Sequence, residues 1–231
     1  MKHAGKARQA ALKMILWTLT ALLVLIVGGA LAAAIGSLIT AAAMILTGLW
    51  ILFALFVFAF FRDPHAAVPT GPEVIVSPAH GTVDVIDETD EPEFMGGACR
   101  RVSIFLSVLD VHVQNSPATG KIAFLKHSPG QFLNAMRTDC SLHNENVLVG
   151  FASSELAGEK LAVRLIAGLL ARRIVPWITL GETVNRGDRM SLIQFGSRVE
   201  LCLPLSAQIQ VRLGDKVKGG ETVVATRKLS G

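Results

Sequence analysis

The sequence predicts a mainly β protein: an all-β domain of sandwich or barrel-sandwich type, preceded by an N-terminal transmembrane helical hairpin. Two observations carry that prediction. Met14 through Phe61 is a run of 48 residues without a charged side chain, in a chain of 231 residues that is 51% apolar. Beyond it, short alternating apolar segments are punctuated by Gly and Pro, the pattern of strands rather than helices.

The apolar run sets the first boundary. As one helix it would extend roughly 72 Å, more than twice a bilayer core of about 30 Å. Two helices of about 20 residues, turning near Ala34-Ile35-Gly36-Ser37, fit instead. Lys2, Lys6, Arg8 and Lys13 precede the run and Arg62 closes it, so the positive-inside rule places both ends in the cytoplasm. A cleaved signal peptide ending at Leu31-Ala32-Ala33-Ala34 is the rival reading, but it leaves Leu38–Phe61 without a membrane partner. The predicted organisation is a basic cytoplasmic N-terminus (1–13), two membrane helices (14–61), a linker marked by Pro64, Pro69 and Pro72 (62–72), and a β-rich domain (73–231).

Within that domain VIVSP and GTVDVI read as short strands, and RVSIFLSVLDVHVQ as another. A turn at Pro117–Gly120 leads to the strand KIAFLKH. Asn144–Ser153 and Lys160–Ala167 read as a hairpin joined through Glu155-Leu156-Ala157-Gly158. Ser191–Leu203 and Ala207–Arg212 continue the pattern, while Phe132–His143 fits either a helical turn or a loop. NRGDRMSLIQFGS and RLGDKVKGGETVVAT echo one another: a basic residue, Gly-Asp, a second basic residue, then an apolar one. The second copy and the upstream SPAHGTV resemble the hairpin-and-turn pattern of biotinyl/lipoyl-type domains, a flattened β-sandwich; no lysine stands where such domains are modified.

Several chemistries are excluded. Cys99, Cys140 and Cys202 are odd in number, widely spaced and without CxxC, which suits a reducing compartment and offers no zinc or disulfide frame. No HExxH, Walker loop, dinucleotide fingerprint or GxSxG elbow occurs, so no metal is predicted. The formal charge of +4 partly reflects the N-terminal segment, where anionic lipid head groups would attract it; the soluble part has no long basic run, so nucleic acid is not a predicted partner. Of six histidines, His3 and His65 lie in the tail and the linker, and His127 and His143 at or near turns. His80, at the turn in SPAHG, and His112, inside VLDVHVQ, are the candidates for proton transfer.

The stretch SLIQFGSRVELCLP places Gly196-Ser197 between two alternating segments, at a tight bend. Gly196 opens backbone conformations closed to other residues, and Ser197 places a hydroxyl beyond its carbonyl. Attack of that hydroxyl on the Gly196 carbonyl carbon would turn the peptide into an ester. β-Elimination would then cut the chain and leave dehydroalanine at 197, which hydrolyses to a pyruvoyl group. A Gly-Ser turn in a hairpin explains the same residues structurally. Asp84 and Asp110 are the carboxylates available for a Ser-His-Asp arrangement, which no spacing demands.

Together FFRDP, VSPAHGTV, FLSVLDVHVQNSPATGKI, FLNA, HNENV, IAGLLARRIVPW, RGDRMSLIQFGSRVELCLP and GDKVKGGETVVA resemble the phosphatidylserine decarboxylase family of the short bacterial type, in its order, over most of residues 60–225. The resemblance implies a proenzyme that cuts itself between Gly196 and Ser197 into a β chain (1–196) and a 35-residue α chain (197–231), which stay together as a heterodimer. It implies a covalent pyruvoyl cofactor derived from Ser197 and a cell (inner) membrane enzyme acting on phosphatidylserine in the lipid bilayer. A Schiff base to the substrate amine would take up the electrons released with CO2 to give phosphatidylethanolamine. His112 matches a family histidine in FLSPxxxH (Val108 replaces the proline) and is expected to donate a proton or position substrate. Arg62, Arg172 and Arg173 are candidates for the head-group phosphate or carboxylate. The family's usual SPADG reads SPAHG here, and Asn115 stands where longer members carry a second histidine. His80 is therefore expected to serve as the base for Ser197. The alternatives are a processing-deficient, membrane-tethered β domain that binds anionic lipid, and a membrane-anchored serine hydrolase.

Overall fold

Charge-free sequence and strong helix formers produce two long helices, α1 (Lys6–Ala32) and α2 (Ser37–Phe60), each long and apolar enough to cross a membrane. A computed structural model describes residues 5–32, 37–135, 140–169, 173–194 and 196–227, and of these all side chains but those of 32, 37, 38, 140 and 142. The expected turn at 34–36, Arg172 and Phe195 lie outside the described residues. Helix α1 starts two turns ahead of the apolar run, because KARQAALK consists of good helix formers with nothing to stop it. The two helices pack closely: a methyl group added at Gly29 would lie 3.1 Å from the Ala43 Cβ, the close approach that small residues permit between membrane helices.

The chain divides into two compact units, residues 5–63 and Pro64 onward. Among the described residues the second is built of fourteen strands: β1 (Val74–Val76), β2 (Gly81–Glu91), β3 (Gly97–Leu106), β4 (Val113–Asn115), β5 (Gly120–Ser128), β6 (Asn146–Ser153), β7 (Lys160–Ala167), β8 (Ile174–Pro176), β9 (Thr183–Val184), β10 (Arg189–Ile193), β11 (Ser197–Leu203), β12 (Gln208–Ile209), β13 (Lys216–Val217) and β14 (Val223–Thr226), with one helical turn, α3 (Cys140–His143). Eight strands form a curled sheet in the order β13-β2-β3-β11-β7-β6-β5-β9, and two three-stranded sheets, β1-β14-β12 and β4-β10-β8, accompany it. Val199, Leu201 and Leu203 of β11 join Ile104, Val163 and Leu165 in the main core, while Cys202 joins Cys99, Leu148 and Ala162 in a smaller cluster.

Two sequence expectations change. RVSIFLSVLDVHVQ is not one strand: the Asp110 carboxylate accepts the Ser107 N–H at 2.8 Å and its hydroxyl at 2.7 Å, closing a turn that ends β3 and sends the chain into another sheet as β4. Nor do the strands either side of FGS form a hairpin. Strand β10 pairs with β4 and β8, whereas β11 pairs with β3 and β7, so the chain changes sheets at Gly196. The internal echo is one turn used twice. Asn185 N–H donates to Asp188 Oδ2 and Arg212 N–H to Asp215 Oδ2, both at 2.8 Å, and the third position of each turn is a glycine at positive φ, Gly187 and Gly214.

The proline-marked segment is strapped to the β unit rather than loose. Prolines and a glycine leave carbonyls with no strand partner, and three arginines take them. Arg189 Nη2 donates to the Pro64 carbonyl at 3.4 Å, Arg186 to those of Pro69 at 2.9 Å and Gly71 at 2.6 Å, and Arg227 to that of Pro72. Glu155 bridges Arg186 and Arg227, and Glu159 accepts the Arg227 Nε–H at 3.0 Å. Both side chains of the Arg227–Glu159 pair are almost fully buried, and removing one partner of a buried pair strands the other's charge. Arg227→Met is expected to destabilise the fold by about 3–5 kcal/mol, measured as a lowered unfolding temperature in detergent.

Candidate active site

Ser197 heads β11, the strand at the middle of the curled sheet, with Leu106 opposite on β3 and Ala167 on β7. Alternation along the strand turns its side chain to the face of Val199 and Leu201. The residue is fully buried, and its hydroxyl oxygen has no hydrogen-bond partner among the described residues. A buried hydroxyl without a partner is unfavourable by about 1–3 kcal/mol, which marks it as held for another purpose. Gly196 before it has φ +71°, a left-handed conformation that favours glycine.

His112 reaches this bend from the segment between β3 and β4. The Gly196 N–H donates to His112 Nε2 at 3.1 Å, and His112 Nδ1–H donates to the Asp110 carbonyl at 2.9 Å. These partners assign the neutral tautomer with the Nε2 lone pair toward the Gly196 backbone. The histidine is fully buried, and its own carbonyl accepts from the Gln114 side chain at 2.7 Å, which in turn accepts from the Ser191 hydroxyl at 2.8 Å. The Asp110 backbone, not its carboxylate, orients the imidazole. Asp84 is engaged elsewhere, so neither aspartate completes a Ser-His-Asp relay.

Sequence reading missed the residues that hold the other side of the bend. Arg198 is fully buried on the opposite face of β11 from Ser197. Its guanidinium donates to Asp84 Oδ1 at 2.9 Å and Oδ2 at 2.5 Å, to Ser103 Oγ at 2.6 Å, and twice to the Ala135 carbonyl at 3.0 and 3.1 Å. Asn144 clasps the same segment, exchanging hydrogen bonds with the Leu133 backbone at 2.8 and 2.9 Å and donating to the Ala167 carbonyl at 2.7 Å. A Cβ placed on Gly168 would lie 2.4 Å from the Gly196 carbonyl oxygen and 3.0 Å from the Ala135 Cβ; only a glycine lets these backbones meet. An arginine inside the apolar strand RVELCL, and the paired asparagines of HNENV, were the signals for these contacts.

His80 immediately precedes β2, which is separated from β11 by β3. The register Thr82–Phe105–Arg198 places it at the same end of the sheet as Ser197. No hydrogen bond joins it to the Ser197 hydroxyl. It borders Asn115 instead: a Cβ on Gly219 would lie 2.7 Å from Asn115 Oδ1 and 3.1 Å from His80 Cδ2. Of the candidate arginines, Arg62 donates to the Ala59 carbonyl at 2.6 Å, at the end of α2. Arg173 is exposed, and its carbonyl accepts the Gln194 N–H at 3.3 Å, two residues from Gly196. Among the described residues no cluster of His, Cys, Asp and Glu is arranged to hold a metal.

Two helices apolar enough to cross a membrane and a curled β unit, with a buried serine that has no hydrogen-bond partner among the described residues at its change of sheet, define a membrane-associated β protein with a candidate nucleophile at that bend. A family model described as phosphatidylserine decarboxylase matches residues 53–225. Proteins named phosphatidylserine decarboxylase proenzyme are similar over most of the chain. One from Desulfotalea psychrophila is 41% identical over 180 residues, covering 78% of this chain and 83% of its own. One from Symbiobacterium thermophilum is 41% identical over 196 residues, 82% and 90%, and one from Syntrophus aciditrophicus 42% over 172, 74% and 80%. The chain belongs to the phosphatidylserine decarboxylase family.

Glu200, on the Arg198 face of β11, has its carboxyl pKa raised, first by burial and against the pull of Arg101, Arg164 and Arg198. Arg101 gives Glu200 one hydrogen bond at 3.1 Å while its bidentate partner is Asp87, at 2.9 and 2.6 Å. A carboxyl raised in the folded state binds its proton more tightly there than in the unfolded chain. Its stabilising effect is present below the unfolded value and is lost as pH rises through the folded one. The unfolding temperature of Glu200→Gln relative to the parent is therefore expected to move in the variant's favour as pH is raised from 4.5, the ordinary value, toward neutrality.

Proposed function

We propose that this chain is a membrane-anchored phosphatidylserine decarboxylase, matured by cutting its own backbone between Gly196 and Ser197, which converts phosphatidylserine to phosphatidylethanolamine and CO2. The observation that carries this reading is the Ser197 hydroxyl, buried without a partner among the described residues beside a left-handed glycine whose N–H is held by a neutral histidine. The Ser197 oxygen attacks the Gly196 carbonyl carbon, and His112, whose Nε2 already lies one residue away, takes the hydroxyl proton. Elimination from the resulting ester leaves a β chain (1–196) and an α chain (197–231) whose first residue, a dehydroalanine, takes up water and releases ammonia to give a pyruvoyl group. That group would supply the electron sink that decarboxylation of the substrate requires. His112 would be placed to return a proton to the product's α-carbon. Arg173, exposed beside Gln194, meets the head-group phosphate or carboxylate through its planar fork. The two helices hold the chain in the cell inner membrane, with the β unit on the cytoplasmic side by the charges flanking them.

His80 supplies a second reading of the base, favoured by its place beside Asn115 at the same end of the sheet as Ser197. Three substitutions separate the readings. With His112 as base, His112→Ala stays uncut while His80→Ala and His80→Asp mature like the parent; the reverse pattern transfers the role to His80.

Intact mass of the purified protein tests the main proposal. Two chains are expected, the smaller with a blocked terminus at position 197, whereas Ser197→Ala should give one chain of about 24.6 kDa without decarboxylase activity. A single uncut parent chain would overturn the proposal and bring forward a tethered lipid-binding domain; an intact Ser197 labelled by a fluorophosphonate would point to a hydrolase. Arg173→Ala is expected to leave cutting unchanged and raise KM for phosphatidylserine about ten-fold, the effect of one lost charge-assisted hydrogen bond.

A further inference from the structure

Arg198 is the second residue beyond the bond that would be cut, and both of its principal partners lie outside the segment that follows that bond. Asp84 belongs to β2, and Ala135 precedes α3. The guanidinium has no exposure, and its doubled bond to the Ala135 carbonyl draws Leu133–Ala135 against the end of the sheet. Asn144 fastens the same segment to the Ala167 carbonyl. Ala135 is 4% exposed, and its Cβ and the Gly196 carbonyl oxygen both crowd the place that a side chain on Gly168 would fill. The carbonyl to be attacked is therefore walled by backbone that Arg198 and Asn144 pin in place.

That wall bears on a choice of chemistry. The ester joins the Gly196 carbonyl carbon to Ser197 Oγ, and it has two exits. In elimination a base removes the Cα proton of residue 197, a Cα–Cβ double bond forms and the Cβ–Oγ bond breaks. Gly196 departs as a carboxylate, and the enamine left behind takes up one water and releases ammonia to give the pyruvoyl group. In hydrolysis water adds at the Gly196 carbonyl carbon and the C–Oγ bond breaks, which restores an ordinary serine with a free amine. The second exit cuts the chain without making the carbonyl that decarboxylation requires. It alone needs water at the Gly196 carbonyl carbon.

We propose that Arg198 is a positioning residue for maturation: through Ala135 it keeps water from the Gly196 carbonyl carbon, so that the ester resolves by elimination rather than hydrolysis. This rests on the self-cleavage reading above.

The test is the identity of the small chain's first residue, read by intact mass and by reaction with a hydrazide, which takes the pyruvoyl carbonyl, against an amine reagent, which takes serine. The parent, Arg198→Met and Asp84→Asn are compared as full-length proteins in detergent. The parent small chain is expected to begin with pyruvoyl. Arg198→Met is expected to be cut but to carry about ten-fold more serine-terminated chain, the factor that loss of one charge-assisted hydrogen bond gives. Asp84→Asn, at a carboxylate 28% exposed, loosens the same guanidinium without removing it and gives a smaller rise. A general loss of stability slows cutting but does not change this ratio. If Arg198→Met does not fold, Asp84→Asn decides alone. Variants cut with the parent's proportion of pyruvoyl overturn this inference and leave the self-cleavage reading standing. An Arg198→Met chain that folds like the parent but stays uncut also overturns it, since the arginine then acts before the ester. An uncut parent removes both.

Discussion

Strand β11 is hydrogen-bonded along one edge to β3 and along the other to β7, from Ser197 through Cys202 on both sides, and the site follows from this double ladder. A strand at the middle of a sheet cannot slide or peel away without breaking both ladders at once, so its first residue is fixed as firmly as its last. Each backbone hydrogen bond contributes about 1 kcal/mol net, and Val199, Leu201 and Leu203 are buried besides. A covalent link at the head of such a strand adds little to its retention. Cutting the chain at Ser197 would leave the new terminus where the old peptide bond stood.

The same strand separates two environments. Its odd-numbered residues from Ser197 enter the main core, while Arg198 and Glu200 lie on a face that is buried yet charged. Charges taken from water need fixed partners. Arg198 finds Asp84 and Ser103, and Arg101 is shared between Asp87 and Glu200. A slip of one residue would drive Arg198 into the core and Ser197 out of it, so these ion pairs contribute register. They also explain why burial can raise the Glu200 carboxyl pKa despite three arginines nearby: the best arginine geometry is spent on Asp87.

Much of this was legible in the sequence, for physical reasons. A long charge-free run reports helices that water cannot wet, and alternation reports strands with one dry face. The repeated Gly-Asp pattern was legible as an echo, and its physical basis is a turn with glycine at the third position and a carboxylate over the first N–H. What was not legible depended on distant partners. Arg62, Arg172 and Arg173 drew attention as arginines near motifs, yet the arginine holding the bend is Arg198, whose partners lie more than sixty residues away along the chain. Gly168 and Ala135 carry no chemical signal at all; they matter because of what a methyl group would strike. The motif around His80 does not carry the strand order, which sets β3 between its strand and that of Ser197.

The bend at Gly196 was the hardest feature to read, and the reason is also what makes it suited to reaction. Two alternating segments joined by Phe-Gly-Ser have the pattern of a hairpin, in which both arms share one ladder and the turn is an ordinary connection. Here the arms belong to different sheets. A peptide that crosses between sheets is released from the ladder on one side before it enters the next, and its polar groups must find other partners. The Gly196 N–H finds the His112 ring, and the neighbouring carbonyl lies against the bare backbone of Gly168. A change of sheet thus places a histidine and a serine at one peptide without stretching either strand. A hairpin with the same residues would hold that N–H in its own ladder and give the histidine nothing to hold.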